Sequence, residues 1–182
     1  MTLRADDRRP AACRHLLVVE IRSVPIAAAV APLPWPITDP RLLLLAEIDG
    51  RAGLEPVVAL SPAAVYRPGA VFTLRGGTLE RMRLEGRRPA DVFPFYDEFP
   101  AGVDCAGDAG TIVVTSGSLA DRGRDDRHWA LTRARYRAAG TRFALVGSEE
   151  LRVEVGPEAK RRWPEVRGNP FLSCEGRVPP RP

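Results

Sequence analysis

The sequence is poor in cysteine, lysine and amide side chains. Its three cysteines, Cys13, Cys105 and Cys174, are odd in number and far apart, and no two of them form a CxxC pair. This pattern argues against a disulfide framework and predicts a reducing compartment, which we expect to be the cytoplasm. Lys160 is the only lysine, Asn169 is the only asparagine and glutamine is absent, so nearly all positive charge is arginine. Arginine pairs in bidentate fashion with carboxylates and phosphates, which favours interfaces with other macromolecules.

The sequence also lacks a long uninterrupted apolar run. The longest, Val24 to Ile37, is shorter than the roughly 20 residues that a membrane-spanning helix needs, and it contains four prolines. The arginines that precede His15 followed by apolar residues are reminiscent of a secretory leader, but Glu20 and Arg22 interrupt that stretch and argue against cleavage. We therefore expect no membrane span.

Length and composition predict one soluble domain. The chain has 182 residues, of which 45% are hydrophobic and 27% charged, with a net charge of +4. These values suit a globular protein with one substantial core. Because prolines crowd the last part of the chain, we expect a single globular domain over residues 1–155, followed by an extended Pro/Arg-rich tail over residues 156–182.

The first hundred residues predict strands. Three segments are rich in β-branched and long apolar residues: His15 to Arg22, Leu42 to Ile48 and Pro56 to Leu60. For Leu42 to Ile48 a helical turn is the alternative. Residues 71–84 predict a β-hairpin, because two strand-like segments flank Gly76-Gly77, a pair that can take the positive φ angles of a tight turn. Residues 87–110 contain prolines, glycines and acids, and they predict an irregular connection.

Residues 111–147 predict one βαβ unit. Thr111 to Ser116 and Thr141 to Gly147 are apolar, β-branched segments that predict strands. The segment between them is rich in alanine, leucine and arginine, with Asp125 or Asp126 as an N-cap and Gly140 as a C-terminal cap, which favours a helix. The alternative is a strand, since Trp129 and Leu131 alternate with their neighbours. The helical interpretation makes the protein a mixed α/β fold, with a strand-rich N-terminal part and parallel strands in the βαβ unit.

A crevice at the carboxyl ends of those parallel strands is the predicted ligand site. Ser116, Gly117 and Ser118 follow the first strand, and Ser148 and Glu149 follow the second. Hydroxyl and backbone N–H groups there would donate to a phosphate or nucleotide. No GxGxxG or GxxxxGK[ST] motif supports this site, so the competing interpretation is that Ser-Gly-Ser only allows the chain to turn.

No residue pattern predicts a catalytic centre, a metal site or a cofactor. Cys105 would need His15 or His128 as a base, and nothing in the sequence brings them together. Cys13 and His15 form half of a zinc site, but the other ligands would have to come from distant positions. We therefore predict no catalytic residues and no bound metal.

The leading functional hypothesis is a non-catalytic interaction domain that docks on another protein within a larger assembly. Tryptophan and arginine are enriched at interface hot spots, and the predicted contacts are Trp35, Trp129, Arg133, Arg137 and Trp163. The alternative is a small α/β enzyme or ligand-binding domain that uses the crevice. A third hypothesis is weak nucleic-acid binding. A helix would place Arg133 and Arg137 on one face and Arg135 elsewhere, so no continuous basic stripe is expected.

Overall fold

The structure, a computed structural model, describes residues 2–5, 15–21, 24–27, 41–60, 67–87, 93–95, 101–121, 125–154, 171 and 173–178. Most of these residues are in strands, and none is helical. The mixed α/β prediction is therefore wrong, and the described part of the protein is all-β.

Fourteen strands run through the described residues. The first eight are β1 (Thr2–Ala5), β2 (His15–Ile21), β3 (Val24–Ala27), β4 (Arg41–Glu47), β5 (Glu55–Ala59), β6 (Arg67–Arg75), β7 (Thr78–Arg81) and β8 (Arg83–Leu84). The other six are β9 (Phe93–Phe95), β10 (Gly102–Cys105), β11 (Thr111–Asp121), β12 (Asp125–Ala139), β13 (Arg142–Glu154) and β14 (Glu175–Val178).

These strands form three sheets. One has the order β1-β2-β3, a second has the order β10-β11-β12-β13-β8, and a third has the order β14-β4-β5-β6-β7, with β9 paired to β6. The second and third sheets share one main core, which consists of Leu44, Ala46, Ile48, Val57, Val71, Met82, Leu84, Phe93, Val103, Ile112, Val114, Ala134, Tyr136, Phe143, Phe171 and Cys174. Phe93 packs against Phe143 and Phe171 at ring-centroid distances of 6.1 and 6.3 Å. Each buried phenylalanine contributes roughly 1.5–3 kcal/mol of hydrophobic stabilisation.

The predicted hairpin is present as β6 and β7. Gly76 and Gly77 have φ angles of 53° and 81°, and the strands pair from Arg75 opposite Thr78 to Phe72 opposite Arg81. At Met82 the chain leaves this sheet for the other one. The Met82 N–H still donates to the Val71 carbonyl at 2.9 Å, whereas the next N–H, of Arg83, donates to the Thr141 carbonyl at 3.0 Å. The two sheets of the main core are thus joined through continuous backbone.

The predicted βαβ unit does not form. Residues 125–139 are the central strand β12, antiparallel to both β11 and β13. Gly140, with a φ of 73°, lies in the tight turn between Ala139 and Arg142. The glycine that was predicted to cap a helix therefore belongs to the turn of a β-hairpin. Hydrogen bonding to a strand on each side outweighs the helix propensity of alanine and arginine, which is a weak preference.

The three long strands bury opposite faces at their two ends. Near the Gly140 turn, Ala134 and Tyr136 point into the main core, and we call this the inner face. Further along β12 the buried side chain is Leu131, which forms a second core with Val153, Trp129 and Leu151. Since side chains alternate along a strand, residues 131 and 134 lie on opposite faces. The second core therefore lies on the outer face of this sheet.

The predicted irregular connection over residues 87–110 is partly ordered into strands. It contains β9 and β10, and β10 pairs with β11 from Gly102 opposite Thr115 to Cys105 opposite Ile112. The turn after β10 approaches the turn after β4 very closely. A Cβ atom on Gly50 would lie 2.7 Å from the Gly110 backbone nitrogen, so neither turn has room for a side chain there.

A disulfide joins Cys105 in β10 to Cys174, just before β14. The Cα atoms are 5.1 Å apart, and 69 positions separate the two residues in sequence. The sequence argument against a disulfide is therefore wrong for this pair. Phe171, in the predicted tail, has no exposed surface, and its N–H donates to the Val103 carbonyl at 2.8 Å. Phe171 and Cys174 of the predicted tail thus belong to the main core, whereas Ser173 and Gly176 are exposed.

Within the part of the chain that the structure describes, no helix has the length and apolarity to cross a membrane.

Candidate interaction surface

Five arginines share the outer face of the long sheet. Arg133, Arg135 and Arg137 alternate along β12, so they project from one face. Arg142 of β13 is in register with Ala139 on that same face, and Arg83 of β8 is in register with Arg142. We call these five residues the arginine row. The helical prediction had separated Arg135 from its neighbours, whereas the strand makes the stripe continuous.

Small or apolar side chains flank the middle of the arginine row. Arg135 lies between Val113 and Gly147, and Arg137 lies between Thr111 and Ala144. Among the described residues in direct register with the row, the one acidic side chain is Glu149, whose Oε1 accepts from Arg133 Nη1 at 2.6 Å. Arg83, Arg135, Arg137 and Arg142 are exposed. The row is thus a basic surface open to solvent.

A hollow of about 280 Å³ lies beside the arginine row, around the β-bulge of β13. Its lining consists of Val113, Arg133, Arg135, Val146, Gly147, Ser148 and Glu149. Val146 is 56% exposed and its neighbour Leu145 is 47% exposed, so two large apolar side chains meet solvent next to charged ones. Leu145 is in register with Tyr136 of the inner face, whereas Val146 lies at the bulge and lines the hollow beside Arg135, so a strand added at this edge would contact the two side chains from different faces.

The same stretch is a sheet edge. On the side of β13 away from β12, β8 pairs with Arg142 and Phe143 alone, and no described strand pairs with residues 144–154. The Leu145 N–H points to Glu85, whose Oε2 accepts from it at 3.2 Å. An unpaired row of backbone donors and acceptors can take up a further strand.

The residues predicted to form an anion crevice do not share one site. Ser116, Gly117 and Ser118 lie inside β11, opposite Thr132, Leu131 and Ala130, and they line a hollow of about 640 Å³ with neighbours from β12 and β13. Ser148 and Glu149 line the other hollow, beside Arg133. The crevice required β11 and β13 to be parallel strands connected by a helix, whereas residues 125–139 form the strand β12, which lies between them and is antiparallel to both. The Ser-Gly-Ser segment is not a turn either.

The predicted interface residues have different positions. Trp35 and Trp163 lie outside the described residues. Trp129 is half-buried and packs against the second core, so much of its surface is already used within the protein. Arg133 and Arg137 belong to the arginine row. Sequence reasoning missed Arg135. Arginines stand at every second position from 133 to 137, and in a strand this spacing places all three on one face.

Sequence reasoning also missed a buried acidic pair next to the Gly50 turn. Glu55 is 4% exposed, and its Oε2 accepts the N–H groups of Ile48 and Asp49 at 2.8 and 3.2 Å. Burial raises the pKa of Glu55 to about 7, and the neighbouring Asp49 carboxylate adds to this effect. Asp49 itself is 3.7 Å from Arg75 Nη2, and Thr73 Oγ1 donates to it at 3.3 Å. These contacts support the turn, while the buried Nε of Arg75 has no hydrogen-bond partner among the described residues.

Three further side chains with potential chemistry, those of Asp104, Tyr136 and Cys105, make contacts inside the fold. The Asp104 carboxylate, 2% exposed, accepts from the Ser173 N–H at 2.7 Å and from the Ser173 hydroxyl at 2.9 Å. Burial raises the pKa of Tyr136, while the Arg87 guanidinium opposes that shift. Cys105 is held in its disulfide and is therefore not a nucleophile. In the described ranges, no cluster of three or more His, Cys, Asp or Glu side chains can hold a metal ion.

Comparison with known proteins adds no relative: no family model, no curated protein and no solved structure matches the chain.

Proposed function

We propose that this protein is a docking domain that binds another protein of a larger assembly through the edge of β13 that no described strand covers. The supporting observation is the exposure of Leu145 and Val146 at an edge where no described strand pairs with β13. The partner supplies an extended segment that pairs with this edge, and its side chains cover the two apolar residues.

The physical argument combines backbone and side chain. An added strand satisfies the open N–H and C=O groups of β13, and these hydrogen bonds give affinity without sequence preference. Covering Leu145 and Val146 removes apolar surface from water, which contributes roughly 25 cal/mol per Å² before the costs of association. The β-bulge discourages indiscriminate pairing of the same edge.

The test compares two equally simple changes of exposed apolar residues. Val146→Asp places a charge at the proposed contact, whereas Leu74→Asp places one at a site that is 38% exposed on the β6–β7 hairpin. The partner is recovered with the wild-type protein from its native source and identified, and its Kd for purified wild type and both variants is then measured by calorimetry. Circular dichroism confirms that the variants are folded.

We expect Val146→Asp to weaken the complex at least about tenfold, in line with loss of a central contact, and Leu74→Asp to leave Kd within about twofold. A native protein that purifies as a monomer with nothing bound would contradict the proposal. So would a complex that tolerates Val146→Asp, or one that Leu74→Asp disrupts equally.

A further inference from the structure

The geometry of the arginine row points to the chemistry of the partner. We infer that the segment bound at β13 is an acidic strand, with Asp or Glu at every second position. This inference rests on the proposed docking function and deepens it, because it states which sequence the edge selects.

The repeat of the row matches that of a strand. Residues two apart in an antiparallel strand are separated by about 6.8 Å, so Arg133, Arg135 and Arg137 present positive charge with that period. A strand added beside β13 runs along the same direction, and acidic side chains at alternate positions repeat at the same interval. Arg133 is already paired with Glu149, and the β-bulge lies between the residues opposite Arg135 and Arg137, so Arg135 and Arg137 are the two β12 guanidinium groups that incoming carboxylates would meet.

The row can reach across β13 because the intervening residues are small. The added strand would lie two strand spacings, or about 10 Å, from β12. Opposite Arg135 stands Gly147 and opposite Arg137 stands Ala144, so no bulky side chain blocks either guanidinium. Both partners in such a pair are long side chains that can meet above this gap.

The protein already contains an Arg–Glu pair of the same chemistry across one strand spacing, which is half of the span to the added strand. Glu149 on β13 stands in register with Arg133, and their side chains meet at 2.6 Å. This contact shows that a glutamate on a neighbouring strand finds the guanidinium at the register position. Arg135 and Arg137 have no acidic residue in register among the described strands, so an incoming acidic strand would extend the same pattern.

A protein partner fits this surface better than a nucleic acid. Proteins that bind single strands combine basic residues with aromatic side chains on which bases stack. On the described outer face of β11 to β13, the one aromatic residue is Trp129, and it is held in the second core. Arginine recognises carboxylates in bidentate geometry, which an acidic strand supplies.

The arginine row should mainly affect the association rate constant of the complex, and it should have little effect on the dissociation rate constant. Exposed ion pairs are each worth about 0–1 kcal/mol, so they steer and orient a partner more than they hold it. The apolar edge residues should instead control dissociation. This difference separates the two proposals in a kinetic experiment.

The probe is a peptide of six Glu-Thr repeats carrying a fluorescent label. Its binding to the full-length protein is followed by anisotropy over a range of salt concentrations, beside a peptide of six glutamates followed by six threonines and a twelve-residue oligouridylate. The variants are Arg135→Glu in the row and Arg51→Glu, an exposed arginine in the turn after β4, as a control with the same change of charge.

We expect the alternating peptide to bind several-fold more tightly than the block peptide, with an affinity that falls as salt rises. Arg135→Glu should weaken this binding about five- to tenfold, and Arg51→Glu should change it less than twofold. Equal binding of the two peptides, an equal loss in both variants, or binding of the oligouridylate alone would overturn the inference.

The outcomes also distinguish this inference from the docking function. If Val146→Asp disrupts the native complex while the acidic peptide shows no preference, the edge is the docking site and its partner is not acidic. If the peptide binds through Arg135 but the native complex tolerates Val146→Asp, the row is a real site and the edge is not where the partner docks.

Discussion

Glu55 is the residue whose protonation the fold controls most clearly. Its side chain is almost fully buried at the start of β5, and its Oε2 closes the turn at residues 48 and 49 by accepting two backbone N–H groups. Burial disfavours the carboxylate, so its pKa lies at about 7 in the folded protein against 4.5 for the ordinary side chain. At pH values between 4.5 and about 7, Glu55 is therefore protonated in the folded protein and ionised in the unfolded chain.

The sign of the pH dependence follows from this difference. The stabilising contribution of protonated Glu55 is fully present below about pH 4.5 and is lost as the pH rises through about 7. We expect the free energy of unfolding to fall over this range by at most about 3 kcal/mol from this group. Urea unfolding at a series of pH values measures this fall in the free energy of unfolding.

Glu55→Gln removes the titrating group but keeps a side-chain oxygen that can accept hydrogen bonds, so the fall over this range should flatten. Glu80→Gln, at an exposed position of β7, is the matched control and should leave the pH profile as it is in the wild type. A Glu55→Gln profile parallel to that of the wild type would show that Glu55 does not titrate in this range.

At the scale of the strand, the helix prediction for β12 rested on its alanine, leucine and arginine content and on its capping residues, and the pattern of apolar residues was too irregular to overrule it. Its buried side chains are Leu131, Ala134 and Tyr136, with Trp129 half-buried. A simple strand would bury every second residue, but here the buried face changes between residues 131 and 134. The resulting spacings of three and seven residues are those of a helix face. Sequence periodicity could not reveal the change of face, because it depends on which other parts of the fold cover each end of the strand.

Local chemistry did predict other elements. The Gly76-Gly77 turn specified its hairpin because two adjacent positive φ angles are easily reached only by glycine. The apolar segments of β2, β4, β5 and the first part of β11 were also predicted as strands from their own residues. The candidate surface was only partly predicted: Arg133 and Arg137 were named as contacts, but Leu145 and Val146 were not. Val146 lies at the β-bulge of β13 and both residues lie beyond the end of the β8 pairing, and these are properties of the whole sheet.

The two cores on opposite faces predict a specific pattern of coupling between mutations. Leu131 and Val153 belong to the second core, whereas Ile112 belongs to the main core, five residue pairs away along β12. We expect Leu131→Ala and Val153→Ala to be non-additive by about 0.5–3 kcal/mol, since they share contacts. Leu131→Ala and Ile112→Val should add to within about 0.5 kcal/mol.

Chemical denaturation of the single and double variants gives these coupling energies. Leu131→Ala alone should cost about 2–5 kcal/mol and Ile112→Val about 0.5–1.5 kcal/mol. Strong coupling between residues 131 and 112 would mean that the two cores behave as one cooperative unit across the sheet. Additivity between residues 131 and 153 would mean that the second core does not contribute as a cluster.

At the scale of the whole molecule, the Cys105–Cys174 disulfide links the two sheets that share the main core. Cys105 ends β10 in one sheet, and Cys174 immediately precedes β14 in the other. Three cysteines allow three different pairings, and a separation of 69 positions gives no local signal, so the sequence could not reveal this one. Disulfides persist in oxidising compartments. The cytoplasmic location remains a prediction, but the cysteine pattern no longer supports it because two of the cysteines form a disulfide.

The same segment is also held without the disulfide. Asp104 accepts two hydrogen bonds from Ser173, and Phe171 is fully buried in the main core. These contacts do not depend on the oxidation state of the cysteines. The reduced protein should therefore keep its fold and lose only the constraint that the disulfide places on the unfolded chain.

This separation of roles predicts the effect of reduction. A closed loop of this length stabilises a protein by roughly 2–4 kcal/mol, mostly by restricting the unfolded state. We expect Cys105→Ser/Cys174→Ser, and the wild type in reductant, to lose that amount of unfolding free energy in urea while their circular dichroism spectra match that of the oxidised protein. A thiol assay in denaturant should find one free thiol among the three cysteines before reduction. Three free thiols would show that the disulfide is not formed, and a reduced protein without β-sheet signal would show that the disulfide, rather than the Ser173 and Phe171 contacts, holds the two sheets together.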